Sequence, residues 1–169
     1  MSAYRDVGVV VRRVKADNPW IDFLWSPAAV LSEAPDAAAW TLLENVAGAE
    51  LFYAGQATLE LHPSDTAYYR DNLMGGEPFL WVALRGGEGP YGMELAAVTA
   101  DPNEGESLFE SGLPVVGKAV MPPDVAAWIA AFVAEHHVER EFIKRKRDKS
   151  GPDPRKIPGG VRRPPGVGT

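Results

Sequence analysis

The segment spanning residues 122–147, PPDVAAWIAAFVAEHHVEREFIKRKR, constrains the fold more than any other. Val125, Trp128, Ile129, Phe132 and His136 fall at i, i+3, i+4, i+7 and i+11, which predicts a helix with one apolar face that must find a core. Pro122 and Pro123 suit a first turn, whose amide hydrogens have no helical partner. Asp124 suits the positive end of the helix dipole and the closing KRKR its negative end. A helix is expected over about residues 123–147, and from Asp124 to Arg147 it would be about 36 Å long at ~1.5 Å per residue. A strand of a small sheet covers roughly 17–20 Å, so the C-terminal part of this helix is expected to project.

The chain has 169 residues, 46% of them hydrophobic and 24% charged, which allows one domain with an ordinary core. That domain is expected over residues 1–147. Residues 148–169 are expected to be a disordered tail, because the last nineteen residues hold ten Gly or Pro and few apolar anchors. There is no cysteine. This excludes disulfides, thiolate metal sites, cysteine-ligated iron–sulfur clusters and a thiol nucleophile. The N-terminal MSAYRDVGVVVRR has only a short apolar run, and no stretch approaches the ~20 apolar residues of a membrane-spanning helix. A soluble, cytoplasmic protein without a transmembrane segment is expected.

The net charge of −6 hides an asymmetry. Residues 140–169 carry ten Lys or Arg against three Asp or Glu, +7, and the first 139 residues carry seven against twenty, −13. An acidic body repels phosphates and argues against nucleic acid as a partner. The basic end could serve an anionic partner or simply be solvated.

Read in order, the chain opens on strands. Val7, Val9 and Val11 alternate with their neighbours, and Asp17, Asn18 and Pro19 supply a turn. Residues 20–31 read as a second strand in which Pro27 implies an edge or a bulge, and residues 40–43 as a third. Residues 51–61 alternate most clearly, with Leu51, Tyr53, Ala57, Leu59 and Leu61 on one face and Gln56, Thr58, Glu60 and His62 on the other. Ser64 is placed to cap a short helix reaching about Leu73, which Gly75 and Gly76 end. Strands are expected at 79–85, 91–99 and 113–120, with one turn of helix within 101–112. The sum is an α+β fold: a curved, mostly antiparallel sheet or small open barrel closed by the C-terminal helix. This is the element order of pleckstrin-homology-like barrels, an order that many unrelated domains share.

Candidate chemistry is thin. His136 and His137 are adjacent, so on a helix their side chains diverge by about 100° and cannot ligate one ion as an i, i+4 pair can. His136 is expected at the packing edge and His137 on the solvated face. His62 and Glu60 share a strand face and read as an exposed pair. The Gly pairs at 75 and 86 lack the Lys-Ser or Lys-Thr of a phosphate loop, and Ser26, Ser64 and Ser111 lack a nucleophile elbow. Glu104 and Glu106 fall in what reads as a solvated acidic loop. No catalytic site and no metal site is predicted. Trp20 and Trp25, five apart, would face opposite sides of a strand, leaving one exposed as a binding hint.

Three long strings carry a resemblance: VGVVVRRVKADNPWIDFLWSPAAVL near the start, YAGQATLELHPSDTAYYRDNL with FLWVALR after it, and VMPPDVAAWIAAFVAEHHVEREFIKRKR at the end. Together, over about residues 7–147, they resemble the bacterial domain-of-unknown-function family 3305. The resemblance implies a genomic setting beside molybdenum- or tungsten-dependent formate dehydrogenases and, for some members, the label of a molybdopterin-guanine dinucleotide biosynthesis protein. The residues do not support that label as an activity: the N-terminus is a strand rather than a glycine-rich nucleotide loop, and sulfur transfer would need a cysteine. The resemblance therefore implies a non-catalytic accessory protein. It would act on a formate dehydrogenase subunit in assembly or cofactor maturation, or as a bound component, with no cofactor of its own beyond a transient molybdopterin-type group. A cofactor-binding chaperone, a cofactor-modifying enzyme and a generic adaptor with a basic tail are the alternatives. The partner surface is expected at Lys144, Arg145, Lys146 and Arg147, supported by Phe142 and Ile143, on the projecting helix end.

Overall fold

Among the described residues the apolar alternation is realised as seven strands. A computed structural model describes residues 1–137. In chain order the elements are β1 (Ala3–Asn18), β2 (Ile21–Leu31), β3 (Thr41–Val46), β4 (Ala49–Leu61), a 3-10 turn (Pro63–Asp65), α1 (Thr66–Leu73), β5 (Phe79–Gly86), β6 (Met93–Thr99), α2 (Pro102–Glu110), β7 (Val115–Val120) and α3 (Pro123–His136). Every ladder is antiparallel. The fold is α+β as expected, with its curvature taken up by two sheets, of order β2-β1-β4-β3 and β6-β5-β7.

The two sheets enclose one core and meet along two seams, β2 beside β7 and β4 beside β6, with no ladder across either among the described residues. Pro27 gives the physical reason at the first seam. A Cβ built on Gly117 of β7 would lie 2.9 Å from Pro27 Cδ, so the ring occupies the side where an amide hydrogen would have reached for β7. β2 is an edge strand and its ladder with β1 is irregular next to Pro27, where Val10 pairs with Ala29 and Val11 with Pro27.

Along β4 the expected single apolar face is corrected. Val9 pairs with Gly55 and Val10 with Tyr53, leaving Ala54 as an extra residue beside Gly55, whose φ is +133°. The bulge switches the phase: Phe52 and Ala54 enter the core before it and Leu59 and Leu61 after it, while Leu51 is only half-buried. Tyr53 faces the other way and is buried there against the 32–39 segment, near Gly8 and Pro35. The same cover explains why β1 is buried without interruption from Val7 to Val11.

The helices close one end of the barrel. Val125, Ile129 and Phe132 are buried as the periodicity predicts, joined by Val133. Asp124 in the first turn of α3 pairs with Arg5 at 3.0 Å, and the Arg5 guanidinium also lies 5.8 Å from the Trp128 ring. The described helix ends at His136, so its expected continuation to 147 and the tail at 148–169 lie outside the described residues.

Ser64 does not cap α1. The 3-10 turn precedes the helix, and the Thr66 hydroxyl donates to the Pro63 carbonyl oxygen. Gly76, at φ +93°, follows the end of α1 as expected. Tyr69 joins α1 to α3 through an edge contact with Phe132 at 6.3 Å, and its hydroxyl accepts the His62 backbone N–H at 2.9 Å. Burial is the main reason its phenol is pushed up to about 12. With the unfolded phenol near 10, this contribution to stability is intact below pH ~10 and lost as pH rises through about 12. In alkaline melting series the native chain should lose this contribution over that interval, whereas Tyr69→Phe should not.

α2 is longer than the single turn expected at 101–112. Asp101 caps it by accepting the Asn103 N–H at 2.8 Å, and burial pushes that carboxyl upward. The helix reaches the sheet because Gly105 has no side chain: a Cβ there would lie 2.4 Å from Trp81 Cγ. Gly105→Ala should therefore destabilise the fold by about 1–3 kcal/mol, as overpacking does, although Ala is the better helix former. Urea denaturation would measure it.

Candidate functional site

The ends of β1 to β4 remote from α3 form the most ligand-like surface. Two hairpins build it. β1 and β2 turn through Pro19 and Trp20, where the Trp20 N–H is accepted by Asn18 Oδ1 at 2.8 Å. β3 and β4 turn through Ala47 and Gly48, both at positive φ (+54° and +84°), the two-residue geometry whose twist matches paired strands.

The core-facing side of this end is an aromatic cluster around a cation. Trp25, Trp40, Phe52 and Tyr91 lie with ring centroids 4.7–6.3 Å apart. Trp40 is held at φ +70°, unusual for a bulky residue, with its N–H donated to the Tyr53 carbonyl. The Arg13 guanidinium sits 4.0 Å from the Phe23 ring centroid and 4.8 Å from that of Tyr91. Glu50, directly opposite Arg13 in the ladder, accepts from its Nη2 at 2.6 Å and its Nε at 2.9 Å. The cation is thus satisfied twice, by the carboxylate and by ring faces, and serves as a structural plug.

On the opposite side of the same strands the 32–39 segment covers the Tyr53 region, and at the hairpin end nothing among the described residues packs over the sheet. Val14 pairs with Leu24 on one side and Ala49 on the other, and Ala49 pairs with Val46. Residues in register share a face, so Leu24, Val14, Ala49 and Val46 form one apolar row across all four strands. Leu24 is 53% and Val46 56% exposed, and no described helix covers them. At the tip of the β1–β2 hairpin stands Trp20, 88% exposed, and Leu43 of β3 is half exposed. Leu51 extends the row inward, while Arg12 and Glu44 supply charge on the same face.

The residues singled out from sequence distribute as follows. Trp20 is exposed and Trp25 packed, as the five-residue spacing implied. Glu60 and His62 form an exposed pair at 3.4 Å. His136 packs on Phe132 with ring centroids 4.5 Å apart. His137 is not on a solvated face: its Nδ1 lies 3.3 Å from Thr66 Oγ1 and its Nε2 3.2 Å from Arg70 Nη1. Since Arg70 can only donate, Nε2 is the acceptor and Nδ1 carries the proton. Glu104 lies in α2 and accepts the Thr99 hydroxyl at 2.7 Å, so the acidic loop expected there is a helix. Phe142, Ile143, Lys144, Arg145, Lys146 and Arg147 lie outside the described residues. The apolar row went unpredicted because it joins four distant segments, although the exposed Trp20 was a local pointer to it.

Among the described residues no group of three or more His, Cys, Asp or Glu is arranged to hold a metal ion, and no helix is long and apolar enough to cross a membrane. A cleft of about 280 Å³ lies between β4 and β6. It carries Glu60 and Glu104, whose charges oppose the phosphates of a pterin dinucleotide, so these residues do not fit that group. No curated protein and no solved structure matches the chain. The family model described as "Protein of unknown function (DUF3305)" matches residues 6–146, most of the chain, and the protein belongs to that family.

Proposed function

We propose that the protein is a non-catalytic accessory module that docks on a protein partner through the apolar row Leu24, Val14, Ala49 and Val46 and the adjoining Trp20. The observation that carries this reading is the row itself. It is an apolar row across four strands, exposed at both ends, with a nearly fully exposed tryptophan in the adjoining hairpin turn, and exposed apolar patches and aromatic anchors of this kind mark interaction sites. Following the genomic setting that the family resemblance implies, the partner is a subunit of a molybdenum- or tungsten-dependent formate dehydrogenase. The module acts during that enzyme's assembly or cofactor maturation, or stays bound as a small component.

The test is affinity capture of the tagged chain from its native host, with mass spectrometry of the partners and metal and pterin measured in the eluate. Dehydrogenase without molybdenum indicates an assembly role, and active holoenzyme a bound component. Recovery of some other protein, lost when the row is charged, would keep the docking surface and discard the dehydrogenase. Equal recovery by native and charged-row chains would refute the surface.

A further inference from the structure

The seam between β4 and β6 differs in kind from the one closed by Pro27 and Gly117. β3 covers β4 only over residues 49–53, so beyond the bulge the side of β4 turned away from β1 has no strand partner among the described residues. Among the described residues β6 pairs with β5 alone, so its other side carries no ladder there either. These two unpaired edges border the 280 Å³ cleft, lined from Gln56 to His62 on one side and from Leu95 to Thr99 on the other. Open edges invite pairing, and natural sheets cover or charge them. This one is charged, by Glu60 and by Glu104 at its α2 end, with Asp6 beside it accepting the Thr58 hydroxyl.

The point where the described chain ends bears on what fills the cleft. His137 Nδ1 contacts Thr66 Oγ1, which donates to the Pro63 carbonyl oxygen, and Pro63 follows His62 at the cleft's end. The 32 residues that follow begin here and contain the chain's basic excess, ten Lys or Arg against three acids from residue 140 onward. From residue 138 to 147 the contour is about 33 Å at ~3.3 Å per residue, against about 23 Å for seven strand residues. The length needed is available at the place where it is needed.

We propose that the cleft between β4 and β6 is the docking site for this chain's own basic segment, with Lys144, Arg145, Lys146 and Arg147 against Glu60 and Glu104. The acidic surface expected to receive these four bases is then on the same chain, independently of whatever docks on the apolar row. The carboxylates at the mouth of the cleft select a cationic occupant.

The absence of native cysteine makes the test direct. Ser107→Cys on α2 and Ser150→Cys are introduced into the full chain and spin-labelled, and the distance between the labels is measured by pulsed dipolar spectroscopy. A short, narrow component is expected. It should be lost in Glu60→Gln/Glu104→Gln and also at about 1 M salt, where screening acts over ~3 Å. The same loss is expected when residues 144–147 are changed to Gln, which leaves the cleft untouched and guards against misfolding of the cleft variant. A distribution unchanged by the charge substitutions overturns the proposal. So does a short component in a mixture of two singly labelled chains, which would place a second copy in the cleft.

Discussion

Leu24→Asp combined with Val46→Asp should weaken partner capture by roughly 30-fold or more, the effect of losing a hot spot of about 2 kcal/mol, while the fold itself survives. Both side chains are more than half exposed in the free protein, so in the unbound state their replacements remain in water and cost little. On docking, the same carboxylates would be buried without partners against an apolar surface, which is far more costly than the loss of two aliphatic contacts. The asymmetry separates binding from stability: capture should collapse while the melting temperature shifts by no more than a few degrees. Their places at the two ends of the row, on the edge strands β2 and β3, make the pair a test of the whole surface rather than of one contact.

Phe52→Ala should have the largest effect on stability, about 3–5 kcal/mol, lowering the melting temperature by roughly 10 °C or more. Phe52 is 1% exposed and touches both the aromatic cluster and the Arg13 guanidinium. Its removal opens a cavity bounded by Trp25, Trp40 and Tyr91 and strips a ring face from a cation that is held away from water. Calorimetry would read the loss. A change below about 1 kcal/mol would mean that the cluster collapses freely around the gap and that Arg13 depends on Glu50 alone.

The two predictions act on opposite faces of the same strands, and that division follows from register. At Val14 and Ala49 the side chains turn outward, and at Arg13 and Glu50, one residue away in each strand, they turn toward the aromatic cluster. A slip of one residue would exchange the plug for the apolar row. The ladder β1 shares with β2 and β4 therefore decides at once what is structural and what is free to bind.

Much of this was legible in the residues. The strands appeared where alternation and turn residues placed them, Pro27 marked an edge and an irregular ladder, and the apolar face of α3 was read residue by residue from Val125 to Phe132. These signals are local, set by side-chain period and by the backbone limits of proline and glycine. Where a local reading failed, a distant partner had intervened. The alternation along β4 breaks because Ala54 has no opposite number on β1, Ser64 yields the helix start to a 3-10 turn, and His137 is turned inward by Thr66 and Arg70 of α1.

The sequence by itself determined the α+β class, the set of strands, the packing face of the last helix and the split between an acidic body and a basic end, because each depends on neighbours within a few residues. Only the tertiary structure decided that the strands divide into two sheets, that residues 24, 14, 49 and 46 line up in one row exposed at its two ends, and that a cleft opens between β4 and β6. Those features are set by pairing between residues tens of positions apart, and a period of two along each strand is compatible with many registers until the core selects one.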